Sequence, residues 1–233
     1  MLIDSLRALF SGYPISLESI LMQILATLFV IFCILPLHEY AHGWMAERLG
    51  DHTARYAGRL TLNPLASLDP IGALFLLLFG FGWAKPVPVD TRNFKKPKRD
   101  MALTALAGPV SNLLASLVGA ILYYVLVLVL AAAGISTPLF VQAFFSAYIT
   151  INVALAVFNL LPIPPLDGSK IVGAFLSNRA MYAYYRYQNI IVLVLFLLLF
   201  SGVLSRPLAF LENWMLEGIL WIAELPFRLF GLL

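Results

Sequence analysis

Residues 71–84 read IGALFLLLFGFGWA. The run is apolar enough for a bilayer interior, but its 14 residues fall short of the about 17–25 that a helix needs to cross one. It also carries Gly72, Gly80 and Gly82. A hairpin that leaves the membrane on the side it entered fits these features, because non-helical backbone is tolerated at membrane depth only against other protein. The geometry of the whole chain turns on this reading. If the segment turns back, residues 38–42 and 159–168 lie at one face of the membrane; if it crosses, a bilayer thickness separates them.

Four longer apolar stretches flank it: residues 21–37, 101–133, 140–161 and 190 to about 210, the last interrupted by Arg206 and Pro207. Between them, Val87 and Val89 alternate beside Pro86 and Pro88, which predicts extended chain, an edge strand followed by a basic loop. That loop carries Lys85, Arg92, Lys95, Lys96, Lys98 and Arg99 against Asp90, so the positive-inside bias predicts a cytoplasmic location and a first span running inward. The start, MLIDSLRALF, mixes Asp4 with Arg7 and is followed by no small-x-small site, which predicts a retained interfacial helix over residues 1–16 rather than a cleaved signal. Residues 207–230 carry Glu212, Glu217 and Glu224 and fit either a surface amphipathic helix or a poor span.

Composition agrees with a membrane protein. Hydrophobic residues make up 61% of the 233 and charged residues 12%, about half the charge that covers a soluble domain. Soluble enzymes, disordered chains and collagen are thereby excluded. The net charge of +3 comes without a basic block interleaved with aromatics, so no nucleic-acid partner is expected. Cys33 is the single cysteine; it can form no disulfide within the chain and is expected as a small buried hydrophobe.

At the end of the first span stands HEYAH, residues 38–42. Helical residues four apart share a face, so His38 and His42 can grip one metal ion while Glu39, about 100° around, reaches a water beside it. The motif continues directly from an apolar run, where ionisable groups are costly enough to imply function. A tetrahedral catalytic site needs a third protein ligand. NLLPIPPLDG, residues 159–168, offers Asp167 at the end of a segment that Pro162, Pro164 and Pro165 keep out of regular helix. Read locally, Asp167 could equally cap the following helix; a hairpin at 71–84 brings it to the histidines' side.

HEYAH, AGPVSN at 107–112 and NLLPIPPLDG together resemble the site-2 protease family of intramembrane metalloproteases, its small bacterial-type members, over residues 35–170. The resemblance implies one zinc ion per chain held by His38, His42 and Asp167, with Glu39 as general base and acid. It also implies that Asn159 stabilises the oxyanion or positions the substrate backbone. The expected protein is an all-α polytopic membrane protein of about 4–6 transmembrane helices with a re-entrant hairpin or edge-strand region. Residues 1–233 form one domain, divided into the interfacial helix 1–16, a catalytic core 17–170 and C-terminal helices 171–233. Its expected location is the cell membrane, with the site toward the cytoplasm, and its expected substrate is a membrane-embedded peptide or protein. One departure stands out: in GRLTLNPLASLDPIG, residues 58–72, Ser67 occupies a position where many members have His.

The remaining polar and aromatic residues have plainer readings. His52 is expected at the surface, Gly108 and Pro109 to shape the bundle, and Asn112 to bond across helices. Residues 181–189, MYAYYRYQN, with Trp44 and Trp83, fit interfacial aromatic belts. The alternatives are a membrane metal transporter and a catalytically silent scaffold of the same fold. An ion path needs more than one site, and residues 101–158 contain neither an acidic residue nor a histidine. Retention of all four site residues opposes the silent scaffold.

Overall fold

The computed structural model describes Ser11, residues 16–79 and residues 81–231. The interfacial helix expected over residues 1–16 falls, apart from Ser11 and Ser16, outside the described residues. Among them all regular structure is helical. Helix α1 runs continuously over Leu17–Leu49, and the Ser16 hydroxyl caps it by accepting from the Ser19 N–H at 3.1 Å. Pro36 has no N–H to offer the carbonyl four residues back and its ring crowds that carbonyl. The helix relieves this by widening into a π turn at Val30–Ile34. Val30, Ile31 and Ile34 of this turn are buried. Cys33, expected inside, is instead exposed: the turn faces it away from those three, where bilayer hydrocarbon suits a thiol as well as protein does.

The decisive segment forms helix α2, Pro70–Phe79, and residues 81–84 then return beside it without regular structure. A Cβ at Gly72 would lie 2.0 Å from the Trp83 carbonyl oxygen, and one at Gly82 2.2 Å from that of Gly72. Only two glycines allow the outgoing and returning strands of chain this approach. At the base, the Lys85 N–H donates to the Ser67 carbonyl at 2.8 Å, so the segment ends next to where it began. Residues 81–90 form no helix, strand or turn, so the expected edge strand is absent there; Pro86 and Pro88 keep the residues before them out of helical backbone.

Helix α3 spans Pro97–Ala132, and after a turn helix α4 returns over Leu139–Leu160. Proline-rich residues 161–166 follow, with the Pro162 carbonyl accepting from the Tyr184 hydroxyl, and lead to the short helix α5, Asp167–Gly173. Helices α6, Asn178–Arg186, and α7, Gln188–Phe200, form a pair bent by 58°. The stretch 190–210 is thus not one helix. Gly202 takes φ +76°, a conformation that ends a helix, and helix α8 starts afresh at Ser205 and runs to Leu229. Pro207 sits in its first turn, where a missing N–H goes unnoticed.

Helices α1, α3 and α4 are long and apolar enough to cross a membrane, and the bent α6–α7 pair adds a fourth if counted as one span. Lipid tails are as apolar as leucine, so these helices associate by close packing and hydrogen bonds. Helix α3 buries a stripe of small residues, among them Ala105, Gly108, Ala115, Ser116, Gly119 and Ala120. Across it the Ser116 hydroxyl donates to the Ile149 carbonyl at 3.2 Å and the Tyr148 hydroxyl to that of Ala115 at 3.2 Å. The C-terminal segment is a helix packed into this core: α8 buries Ile219, Ala223 and Phe227, and Glu224 accepts from the Tyr124 hydroxyl of α3 at 2.6 Å.

Candidate metal centre

His38, Glu39 and His42 lie on the second half of α1, all buried. Asp167, also buried, opens α5. It does not serve as the helix cap, a place that Leu166 occupies. The hairpin and the α3–α4 pair bring the two regions together, and ligand atoms of His38, His42 and Asp167 all lie within 4.8 Å of one another.

The outer nitrogens decide what those atoms can be. His42 Nδ1 stands 2.7 Å from the Thr104 carbonyl, which can only accept, so Nδ1 carries the proton. His38 Nδ1 stands 2.5 Å from Asn112 Oδ1 and likewise donates. In the neutral rings both Nε2 atoms are then left with lone pairs. They face each other at 3.0 Å, and Asp167 Oδ2 approaches them at 3.3 and 3.1 Å while making no hydrogen bond. Three electron-pair donors converge on one buried point with no proton among them, an arrangement that a cation satisfies. The donor set, two imidazoles and one carboxylate, suits a catalytic zinc site with one position open to water or substrate. Burial opposes charge on Asp167, while the Lys170 ammonium beside it favours the carboxylate form. Lys170 Nζ takes the other oxygen, Oδ1, at 3.1 Å.

Glu39 faces the same cavity of about 400 Å³, together with Asn159, Trp83 and Val89. Its Oε2 accepts from the Val87 N–H at 2.8 Å, which ties the carboxylate to the extended chain leaving the hairpin. That chain is anchored in turn by Asp51, fully buried just beyond α1. Asp51 accepts from the Asp90 N–H at 2.8 Å, the Asn93 side chain at 2.7 Å and the Thr53 N–H at 3.1 Å. Asn159 lines the cavity with its amide nitrogen donating to the Leu155 carbonyl of its own helix at 2.9 Å. Ser67 is buried at the hairpin base, and His52 pairs with Glu47 at the surface. Asn112 bonds across helices, as expected of it, and its partners are His38 and Asn152. The sequence reading missed Val87, Thr104 and Lys170; of these only Lys170, three residues beyond Asp167, carried a local signal.

Long apolar helices and a buried His-His-Asp group with a carboxylate beside it define a membrane-embedded metallohydrolase. The model of peptidase family M50 matches residues 26–202. The chain belongs to this family, the site-2 proteases, and is a metalloprotease. It is 46% identical over 168 residues to YwhC of Bacillus subtilis, covering 70% of this chain and 72% of that protein. It is 28% identical over 222 residues to Rip2 of Mycolicibacterium smegmatis, covering 91% and 76%, and 29% identical over 226 residues to Rip2 of Mycobacterium tuberculosis, covering 91% and 77%. The names of all three propose zinc metalloproteases. No solved structure matches the chain.

Proposed function

We propose that the protein is an intramembrane zinc metalloprotease that hydrolyses peptide bonds in membrane-spanning segments of its substrates. The observation that carries the reading is the convergence of ligand atoms of His38, His42 and Asp167 within 4.8 Å of one another, beside an apolar helix, with Glu39 one residue from the first. These residues hold one zinc ion per chain. Zinc bound there supplies Lewis acidity and brings the pKa of water to about 7. Glu39 takes the proton of the attacking water and returns it to the leaving amine. The Asn159 amide, released from the Leu155 carbonyl, donates to the developing oxyanion, a contact of about 3 kcal/mol in comparable sites.

A scissile carbonyl inside a helix is occupied by the helix's own hydrogen bonds, so the substrate must unwind locally. Extended chain at 84–90 receives it by strand addition, and on one edge only. The N–H groups of Lys85 and Val87 point inward, to Ser67 and Glu39. Neighbouring residues of an extended chain present their polar groups to opposite edges, so the outer edge offers the Pro86 and Pro88 carbonyls and no N–H at those positions. The substrate strand donates there and does not accept. The six basic side chains of residues 85–99 against Asp90 support a position in the cell membrane with the centre toward the cytoplasm.

Glu39→Gln separates chemistry from binding. Purified in micelles with a membrane-segment substrate, it is expected to retain stoichiometric zinc and to lose turnover by about 10²-fold or more. His38→Ala, His42→Ala and Asp167→Ala lose zinc as well. Cleavage by Glu39→Gln at the parent rate would remove the base, and a parent protein without zinc would remove the centre.

A further inference from the structure

We infer that Asn152, at the middle of α4, fixes the tautomer of His38 through Asn112, and so decides which nitrogen that histidine can offer a metal. The inference rests on the reading of His38 as a ligand and adds to it a positioning residue one helix further away.

The argument is one of hydrogen-bond direction. The Tyr148 carbonyl can only accept, and Asn152 Nδ2 donates to it at 2.9 Å. The nitrogen end of the Asn152 amide is thereby turned to its own helix and the oxygen end to α3. Asn112 Nδ2 donates to that oxygen at 3.4 Å, which turns Asn112 Oδ1 toward α1. There it accepts from His38 Nδ1 at 2.5 Å. An oxygen in that place requires a proton on Nδ1 and, in the neutral imidazole, leaves Nε2 with its lone pair. Asn112 and Asn152 both have no exposed surface, so no water can stand in for a missing partner. The opposite tautomer would put a proton on Nε2, 3.0 Å from the unprotonated Nε2 of His42, in the space a metal would take.

The two histidines reach the same state by different routes. His42 is set by a backbone carbonyl, that of Thr104, which no side-chain substitution removes. His38 is set by a chain of two amides whose polarity is fixed only at the α4 end. Partners of this kind typically change metal affinity by about 10–100-fold when lost.

The test uses the full protein in micelles, with ring nitrogens of ¹⁵N-labelled histidine read by NMR without zinc, and zinc affinity read by competition with a chelator. In the parent, both His38 and His42 are expected as Nδ1–H tautomers. Asn152→Leu is expected to leave His38 as a mixture, to weaken zinc about tenfold and to leave His42 unchanged. Asn152→Asp, which still accepts from Asn112, keeps the His38 tautomer. Adding Asn112→Asp to Asn152→Leu restores both readouts, because a carboxylate beside His38 can only accept. A packing role for Asn152 would not be repaired that way. Unchanged His38 signals and affinity in Asn152→Leu, or no restoration in the double variant, would overturn the relay. A parent that binds no zinc would sink the ligand reading instead, and the ring-nitrogen signals would still decide the relay.

Discussion

A side-chain carbon at position 108 would lie 2.4 Å from Nε2 of His42 and 2.6 Å from Cε1 of His38. Helix α3 therefore touches the imidazole pair with nothing between them, and Gly108 is a condition of the centre as well as of helix packing. Gly108→Ala is expected to push the rings apart and weaken zinc by about 10–100-fold, measured by chelator competition. Parent affinity would mean that α3 yields without disturbing the rings.

The bond from the Val87 N–H to Glu39 predicts a backbone-specific effect. Val87→Pro removes that donor and keeps an apolar side chain. It is expected to retain zinc and to slow cleavage by about 10²-fold, whereas Val87→Ala, which keeps the N–H, stays near the parent rate. Equal losses in the two variants would assign the effect to the side chain.

Lys170 holds Asp167 Oδ1 and leaves Oδ2 alone facing the histidines. Without it the carboxylate can rotate. Lys170→Met is expected to weaken zinc about tenfold, and Lys170→Arg to keep most of the affinity; the chelator titration compares the three proteins. A Met variant with unchanged affinity would reduce the contact to an ordinary surface pair.

Asp51 links α1 to the loop that carries Val87. Burial opposes its charge, but the hydrogen bonds from Thr53, Asn93 and Asp90 hold its carboxyl below the ordinary value of 3.8. A depressed folded value contributes stability that is complete above the unfolded value and lost as pH falls through the folded one. Asp51→Ala is expected to cost about 3 kcal/mol at neutral pH, since it strands several buried donors. The gap between parent and variant, followed by thermal unfolding in micelles, should be constant above about pH 4 and close below it. A gap that widens in acid would contradict the assignment.

The sequence made much of this legible, for identifiable reasons. His38 and His42 are four residues apart on one helix, so local periodicity alone puts them on one face. Asp167 was reachable because prolines at 162, 164 and 165 forbid helix and because a 14-residue apolar run with three glycines is too short to cross. Other features depend on contacts between distant segments. The Val87 N–H and the Thr104 carbonyl are backbone groups, which no residue type announces. Asn152 looks like any helical asparagine until Asn112 is found opposite it, and the end of α7 depends on Gly202 rather than on the more conspicuous Arg206 and Pro207.

The widened turn at Val30–Ile34 has a consequence for how α1 is read as an object. One additional residue per turn offsets everything before it from everything after it by about 100°, so the upstream stripe that packs on α4 and the downstream ring-bearing face are two separately phased surfaces joined in a single rod. Removing one residue from the turn would restore a uniform winding and rotate the histidine-bearing side out of alignment with its neighbours, while His38, His42 and Asp167 all kept their identities.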